Sequence, residues 1–169
     1  MTATLMQMPI AEDEIRTPVP ETMRLRAARA TDVPALAALI ADHAAHHGGK
    51  AETRLARLTE DLFGDRPWLT ALVAEKAGRI VGYCLLAPLY RADLAARGLE
   101  IHQIFVAEAH RGEGIGRHLI GLARRTASQM GCTYLSVGAA TGNFQAHRFY
   151  EGLAFRPQPV TGMRYLQAL

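Results

Sequence analysis

Leu99-Glu100-Ile101-His102-Gln103-Ile104-Phe105-Val106, followed after a short connection by Arg111-Gly112-Glu113-Gly114-Ile115-Gly116, decides the fold. The first segment is rich in β-branched and aromatic residues and predicts a strand. Beyond the glycines, Ile115, Leu119, Leu122, Ala123, Ala127 and Met130 recur at helical spacing and predict a helix that ends at Gly131. A strand, a glycine turn and a helix in succession form a cradle for an anion. Glycines let the backbone approach a ligand closely, and the amides at a helix start point outward with a partial positive charge. Arg111, Arg117, Arg124 and Arg125 face only Glu113 here, so turn and helix together carry +3.

Working outward, Met23–Ala30 alternates as a strand, and Thr31-Asp32-Val33-Pro34 starts a helix reaching His47, with Asp32 as its cap. Leu55, Leu58, Leu62 and Phe63 mark a second helix. Trp68–Ala74 and Ile80–Leu86 form a hairpin turning at Gly78, and Pro88–Gly98 is expected to be a loop. Leu135–Val137 is a short strand, Asn143–Glu151 a fourth helix, and residues 155–168 close the fold as one or two strands. The fold class is therefore α/β (α+β): one domain over residues 23–169, with a mixed, mostly antiparallel sheet of six to seven strands and about four helices. Residues 1–22, with three prolines and no sustained period, are expected to form an extended arm.

The chain has 169 residues, 49% of them apolar and 21% charged, which suits one core-forming domain. No window nears the ~18–20 uninterrupted apolar residues of a membrane helix, so the expectation is a cytoplasmic protein without a membrane partner. Cys84 and Cys132 lack metal-type spacing and are expected to be buried core thiols. The total charge is +3, and residues 1–21 contribute −3, leaving +6 on the rest. That balance fits an anionic small molecule. Scattered acidic residues and the lack of a basic run interleaved with aromatics argue against nucleic acid.

The cradle discriminates among phosphate ligands. A P-loop requires Gly-Lys-Ser/Thr, but Gly116 is followed by Arg117-His118. A dinucleotide fold needs Gly-x-Gly-x-x-Gly, and counted from Gly112 the third glycine falls on Arg117. Coenzyme A remains. Arg111-Gly112-Glu113-Gly114-Ile115-Gly116 resembles the Arg/Gln-x-x-Gly-x-Gly/Ala signature of the GNAT family of acyl-CoA-dependent N-acyltransferases. The resemblance covers most of residues 23–168. It takes in Arg29-Ala30-Thr31-Asp32, Val81-Gly82, Ile104-Phe105-Val106 and Asn143-x-x-Ala146-x-x-Phe149-Tyr150. Leu62-Phe63-Gly64-Asp65 and Ile104-Phe105-Val106 look most like the spermidine/spermine and diamine acetyltransferase branch. The chain departs from that branch at His102-Gln103, where the branch has an acidic pair.

The resemblance implies acetyl-CoA as cofactor, held by Ile104, Phe105, Val106, Arg111, Gly112, Glu113, Gly114, Ile115, Gly116, Arg117, Asn143, Ala146 and Tyr150. It also implies a homodimer. Chemistry then asks for a base, because an amine with an ordinary pKa near ~10.4 is mostly protonated at neutral pH. In a regular strand Glu100, His102 and Ile104 share one face. His102 occupies the family's base position, with an imidazole suited to proton transfer near neutrality, and Glu100 is the orienter or alternate base. Charge developing on the acyl oxygen is best met by the backbone amide of Val106 or its neighbour. Tyr150 is expected to protonate the departing thiolate, since a phenol, with an ordinary pKa near ~10, keeps its proton at neutral pH. Asn143, Ala146 and Tyr150 recur at i, i+3 and i+7 on one helix face, where small Ala146 leaves room for the pantetheine arm and Asn143 offers it an amide.

Asp42, His46, Glu52 and Tyr90 are candidate substrate contacts on elements that border the acceptor in the resembling family. His43 and His47 stand four apart on the first helix, yet no third ligand accompanies them and no metal is expected. The leading expectation is direct acetyl transfer to a primary amine of a small molecule in a ternary complex. A peptide or protein acceptor, and a non-catalytic acyl-CoA-binding domain, are the alternatives.

Overall fold

The computed structural model describes residues 23–159 and 165–168. The chain divides into two compact units between Val137 and Gly138. The first unit contains β1 (Met23–Ala27), α1 (Val33–His46), α2 (Leu55–Phe63), β2 (Thr70–Lys76), β3 (Arg79–Arg91), β4 (Ala96–Val106), α3 (Ile115–Gln129) and β5 (Tyr134–Val137). Its sheet runs in the order β1-β2-β3-β4-β5, with antiparallel pairing except between β4 and β5, which are parallel.

Five strands among the described residues replace the expected six to seven. The described parts of the expected closing strands, 155–159 and 165–168, are irregular, and the rest of that segment lies outside the described residues, as does the 1–22 arm. The expected loop at Pro88–Gly98 is instead the continuation of a hairpin, paired from Pro88↔Leu99 to Arg91↔Ala96. The proline is tolerated because β2 pairs with β3 only as far as Leu86, so no β2 carbonyl awaits the N–H that Pro88 lacks.

Cross-strand pairing sorts the side chains between two layers. Ala71, Val73, Tyr83, Leu85 and Phe105 share one face and form a core with Val33, Leu36 and Leu39 of α1 and Leu58 and Leu62 of α2. On the other face lie Leu72, Ala74, Cys84 and Leu86, covered by α3. Gly82 belongs to that second face. A Cβ there would meet the Phe105 carbonyl oxygen at 3.0 Å and Ile115 Cγ2 at 3.5 Å, so its bare backbone lets the first turn of α3 press against the sheet. The buried stripe of α3 is Ile115, His118, Leu119, Ala123 and Ala127. Met130 falls beyond the helix end and is exposed, against the expected stripe.

Asp32 stands at the expected N-cap position of α1 but turns its carboxylate elsewhere. It accepts from the Arg29 backbone N–H at 2.7 Å and from both terminal nitrogens of Arg26, at 2.6 and 3.1 Å. Arg26 also donates twice to Glu75, at 2.9 and 2.7 Å, and thereby joins β1, β2 and the turn before α1. The Arg26 guanidinium, by these hydrogen bonds, holds the Asp32 carboxyl below the usual carboxylate range despite its burial.

The second unit contains α4 (Phe144–Glu151). Asn143 is its N-cap, with Oδ1 accepting from Ala146 N–H at 3.0 Å, which explains why the helix begins one residue later than expected.

Candidate functional site

The site is built around an interruption in β4. Leu86 pairs with Ile101 and Leu85 with Gln103, which leaves His102 as an extra, unpaired residue in a β-bulge. The bulge resets the alternation. Glu100 pairs with Ala87 and so shares the α1/α2 face with Gln103 and Phe105, whereas Ile104 pairs with Cys84 on the α3 face. The expected common face of Glu100, His102 and Ile104 is therefore overturned by one inserted residue. His102 is exposed on the bulge, and Glu100 is half-buried.

Pairing with β5 stops at the same place. The β4–β5 register runs from Gly98↔Tyr134 to Ile101↔Val137, and beyond it no strand among the described residues pairs with that side of β4. His102 to Val106 thus present an open backbone edge, the kind of amide row that can meet a developing negative charge or an amide-bearing ligand.

From Val106 the chain passes through a short 3-10 turn, Glu108–His110, into the glycine loop. Gly112 and Gly114 adopt φ values of +82° and +77°, the left-handed region that side-chain-bearing residues rarely enter. Nothing lies within 4 Å of a Cβ built on Gly112, so conformation rather than crowding demands a glycine there. Gly114 is the N-cap of α3 and has no side chain with which to cap it. The first amides of α3 therefore keep their donors for an external acceptor.

Side chains brace this loop from several elements. Lys76, at the end of β2, meets Glu113 at 2.6 Å, and His110 Nδ1 lies 3.3 Å from the same carboxylate. Arg111 donates from Nε to the Val106 carbonyl at 3.2 Å and lays its guanidinium 5.3 Å from the centre of the Phe105 ring. His118, buried on α3, donates from Nδ1 to the Gly114 carbonyl at 3.0 Å.

A group that the sequence reading set aside lies across from the bulge. His43 continues the core-facing stripe of α1, four residues beyond Leu39, and stacks on Phe105 with ring centres 5.1 Å apart. Its Nδ1 lies 3.0 Å from the hydroxyl of fully buried Tyr83, which donates to Gln103 Oε1 at 3.1 Å. Its Nε2 lies 3.2 Å from Nε2 of His47. Burial lowers the His43 pKa below the ordinary imidazole value, and His47, His46 and Arg111 lower it further. Burial also pushes the Tyr83 phenol up. The sequence did carry a signal: a histidine on an apolar helical stripe, here read only as half of a metal pair. Among the described residues no group of three His, Cys, Asp or Glu is placed to hold a metal.

The candidate substrate contacts scatter. His46 is exposed on α1, with its ring 6.4 Å from Phe105, so it joins the cluster. Asp42 on α1 and Glu52 between α1 and α2 are exposed. Tyr90 does not join them: it lies seven residues beyond Tyr83 on β3, ~23 Å along the strand at about 3.3 Å per residue. There it lines an open groove of about 310 Å³ with Pro88, Leu89, Arg97, Met130 and Cys132. Cys132 is only half-buried, against expectation, whereas Cys84 is fully buried and burial pushes its thiol up to about 12. In the second unit, Asn143, Ala146 and Tyr150 are half-buried at the expected spacing on α4. The Tyr150 ring contacts Phe149 and Phe155, with centres 5.3 and 5.7 Å away.

Comparison with known proteins agrees with this architecture. Residues 35–155 match the model of the Acetyltransferase (GNAT) family. The chain is 26% identical over 140 residues to the thialysine N-epsilon-acetyltransferase of Mus musculus, covering 77% of this chain and 82% of that protein. It is 31% identical over 86 residues to N-acetyltransferase family 8 member 2 of Rattus norvegicus, covering 50% of this chain but only 37% of the rat protein. Among solved structures, an aminoglycoside acetyltransferase from an uncultured soil metagenomic sample superposes with a TM-score of 0.75 at 19% identity, covering 89% of this chain and all of that one. The ribosomal-protein-alanine N-acetyltransferase of Brucella melitensis biovar Abortus 2308 does so with a TM-score of 0.69 at 22% identity, covering 86% and 99%. These last two likenesses concern the fold. No helix among the described residues is long and apolar enough to cross a membrane. With the glycine loop and the family match over residues 35–155 in agreement, the chain belongs to the GNAT family of acetyltransferases.

Proposed function

We propose that the protein transfers the acetyl group of acetyl-CoA to a primary amine of a small molecule, by direct attack in a ternary complex. The observation that carries the reading is the pair of left-handed glycines leading into an uncapped helix N-terminus at the end of a strand whose edge is open. Its donor chemistry fits a diphosphate, and the +3 charge of the segment favours an anion. Gly112, Gly114, Ile115, Gly116 and Arg117 would hold the diphosphate, with Arg111 and Glu113 fixing the loop. The Ile104–Val106 edge would hold the pantetheine arm, and a share in binding the same cofactor comes to Asn143, Ala146 and Tyr150 of the second unit from the family resemblance alone. When bound, acetyl-CoA supplies an activated thioester.

The residues of the chain supply the rest. The Val106 amide or its neighbour faces charge developing on the acyl oxygen. The resemblance puts the base for the amine proton on β4, at His102 with Glu100 as orienter or alternate, and gives Tyr150 the proton destined for sulfur. The thialysine acetyltransferase relative supports a small amine as the acceptor. The reading includes a cytoplasmic homodimer, for which sedimentation of the purified chain tests the assembly.

Release of free thiol from acetyl-CoA, measured against diamines, polyamines, thialysine, amino acids, aminoglycosides and peptides, tests the whole reading. Turnover with a small amine supports it. Turnover with peptides alone moves the acceptor to protein, and tight acetyl-CoA binding without turnover on any acceptor leaves a binding domain. In an active enzyme, Tyr150→Phe should lower kcat by about 10²-fold.

A further inference from the structure

We propose that His43 of α1 is the proton acceptor for the incoming amine, in place of a β4 side chain, with Tyr83 and Gln103 as positioning residues that fix its tautomer. The inference rests on the acetyltransferase reading and revises only its base. It starts from hydrogen-bond arithmetic. Gln103 Oε1 can only accept, so the single Tyr83 hydroxyl proton points to it at 3.1 Å. The Tyr83 oxygen then has lone pairs to offer, and His43 Nδ1, 3.0 Å away, must carry the proton that it donates. In the neutral ring Nε2 is left as the basic nitrogen.

That nitrogen turns away from the core. It accepts from Nε2–H of His47 at 3.2 Å, and the His47 ring is exposed on the C-cap residue just past the end of α1. An ammonium group is the better donor and would displace His47 without disturbing the buried side of the ring. The ring is held by packing as well: it stacks on Phe105, a residue of the β4 segment beyond its pairing with β5, while Arg111 lies over the same Phe105 ring. His102 has none of these supports. It is exposed on a bulge, and among the described residues no hydrogen bond fixes its tautomer.

The proton balance is simple. One N–H bond of the acceptor ammonium breaks and one forms at His43 Nε2, giving a free amine and an imidazolium. The imidazolium keeps its Nδ1–H bond to Tyr83 and later releases the Nε2 proton to water. The groups facing His43 are His46 and His47 from α1, Tyr83 from β3, Gln103 and Phe105 from β4, and Arg111 from the glycine loop. None of them is anionic at neutral pH. With burial, the imidazoles and Arg111 keep His43 unprotonated and ready to accept at neutral pH.

The test compares His43→Gln, Tyr83→Phe and His102→Gln with the parent. Acetyl-CoA affinity, free-thiol release against pH, and imidazole ¹⁵N spectra of the cofactor-free protein are measured. Three results are expected: an Nδ1–H tautomer at His43 that becomes mixed in Tyr83→Phe, a loss of about 10²-fold or more in kcat for His43→Gln at unchanged acetyl-CoA affinity, and disappearance of the acidic limb of the pH profile in that variant alone. An Nε2–H tautomer in the parent overturns the proposal without any turnover measurement. So does a His43→Gln enzyme within about threefold of the parent, or an acidic limb lost in His102→Gln instead. A parent that binds acetyl-CoA but acetylates nothing sinks the enzymatic reading and this proposal together, whereas an active His43→Gln sinks this one alone.

Discussion

Lys76 Nζ and Glu113 Oε2 meet at 2.6 Å, so the end of β2 holds the middle of the glycine loop. The contact sets the charge beside the helix amides as well as their position. Lys76, and His110 after it, hold the Glu113 carboxyl below its usual range. Any stability from this pairing is therefore complete above the ordinary carboxylate pKa and disappears as the pH falls through the lowered value. Both partners are about one-third exposed, so salt weakens their attraction.

Glu113→Gln removes a negative charge from the middle of the glycine loop. Affinity for acetyl-CoA is expected to rise about two- to fivefold at low ionic strength and to return to the parent value in high salt. Calorimetric titration at two salt concentrations decides it; a weaker complex in low salt would show that Glu113 matters more as a brace than as a charge.

Gly112→Ala places a side chain at φ +82° in open space. The cost is conformational, about 1–2 kcal/mol if the loop keeps its shape. If the loop relaxes instead, the same energy appears as about 5–30-fold weaker acetyl-CoA binding. Chemical denaturation and titration of one variant separate the two outcomes, and no change in either measurement would refute the role given to this glycine.

Arg26→Met strands two mostly buried carboxylates, Asp32 and Glu75. A loss of about 2–4 kcal/mol is expected at pH 7. The Asp32 carboxyl is lowered in the folded state, so its contribution is present above the unfolded pKa and lost as the pH falls through the folded one. The difference between parent and variant should therefore shrink in acid. Urea unfolding at pH 7 and pH 3 tests this, and an equal difference at both would contradict it.

Ala77 sits at φ +49° next to Gly78 at +76°, in the two-residue turn between β2 and β3. Such a turn favours Asn-Gly. Ala77→Asn should stabilise the fold by about 0.5–1 kcal/mol, read from the urea midpoint at constant slope. A lower midpoint would mean that Ala77 makes contacts the turn geometry does not reveal.

Periodicity and glycine spacing made most of this arrangement legible. The boundaries of α2 match the expected helix, the Gly78 turn is where it was expected, and the helix at Asn143–Glu151 is displaced by one residue only because Asn143 caps it. The glycine loop was legible because conformation, which residue type reports, determines its shape. The bulge at His102 was not, because an inserted residue in β4 shows only against the register of β3, and local alternation contains no trace of its partner strand. Pro88 misled for a related reason: its tolerance depends on where β2 stops. His43 was missed because its partners, Tyr83 and Gln103, lie 40 and 60 residues away in sequence. The roles proposed for Asn143, Ala146 and Tyr150 stand on their common helix face and on family resemblance.

The early end of β5 has a price outside catalysis. A half-strand that no described strand pairs, with only its Val106 carbonyl engaged by Arg111, is a template for any extended chain, including another copy of the same protein. Cofactor-free preparations should therefore self-associate on storage more readily than loaded ones, and filling the gap beside residues 102–106 should protect the protein as a colloid.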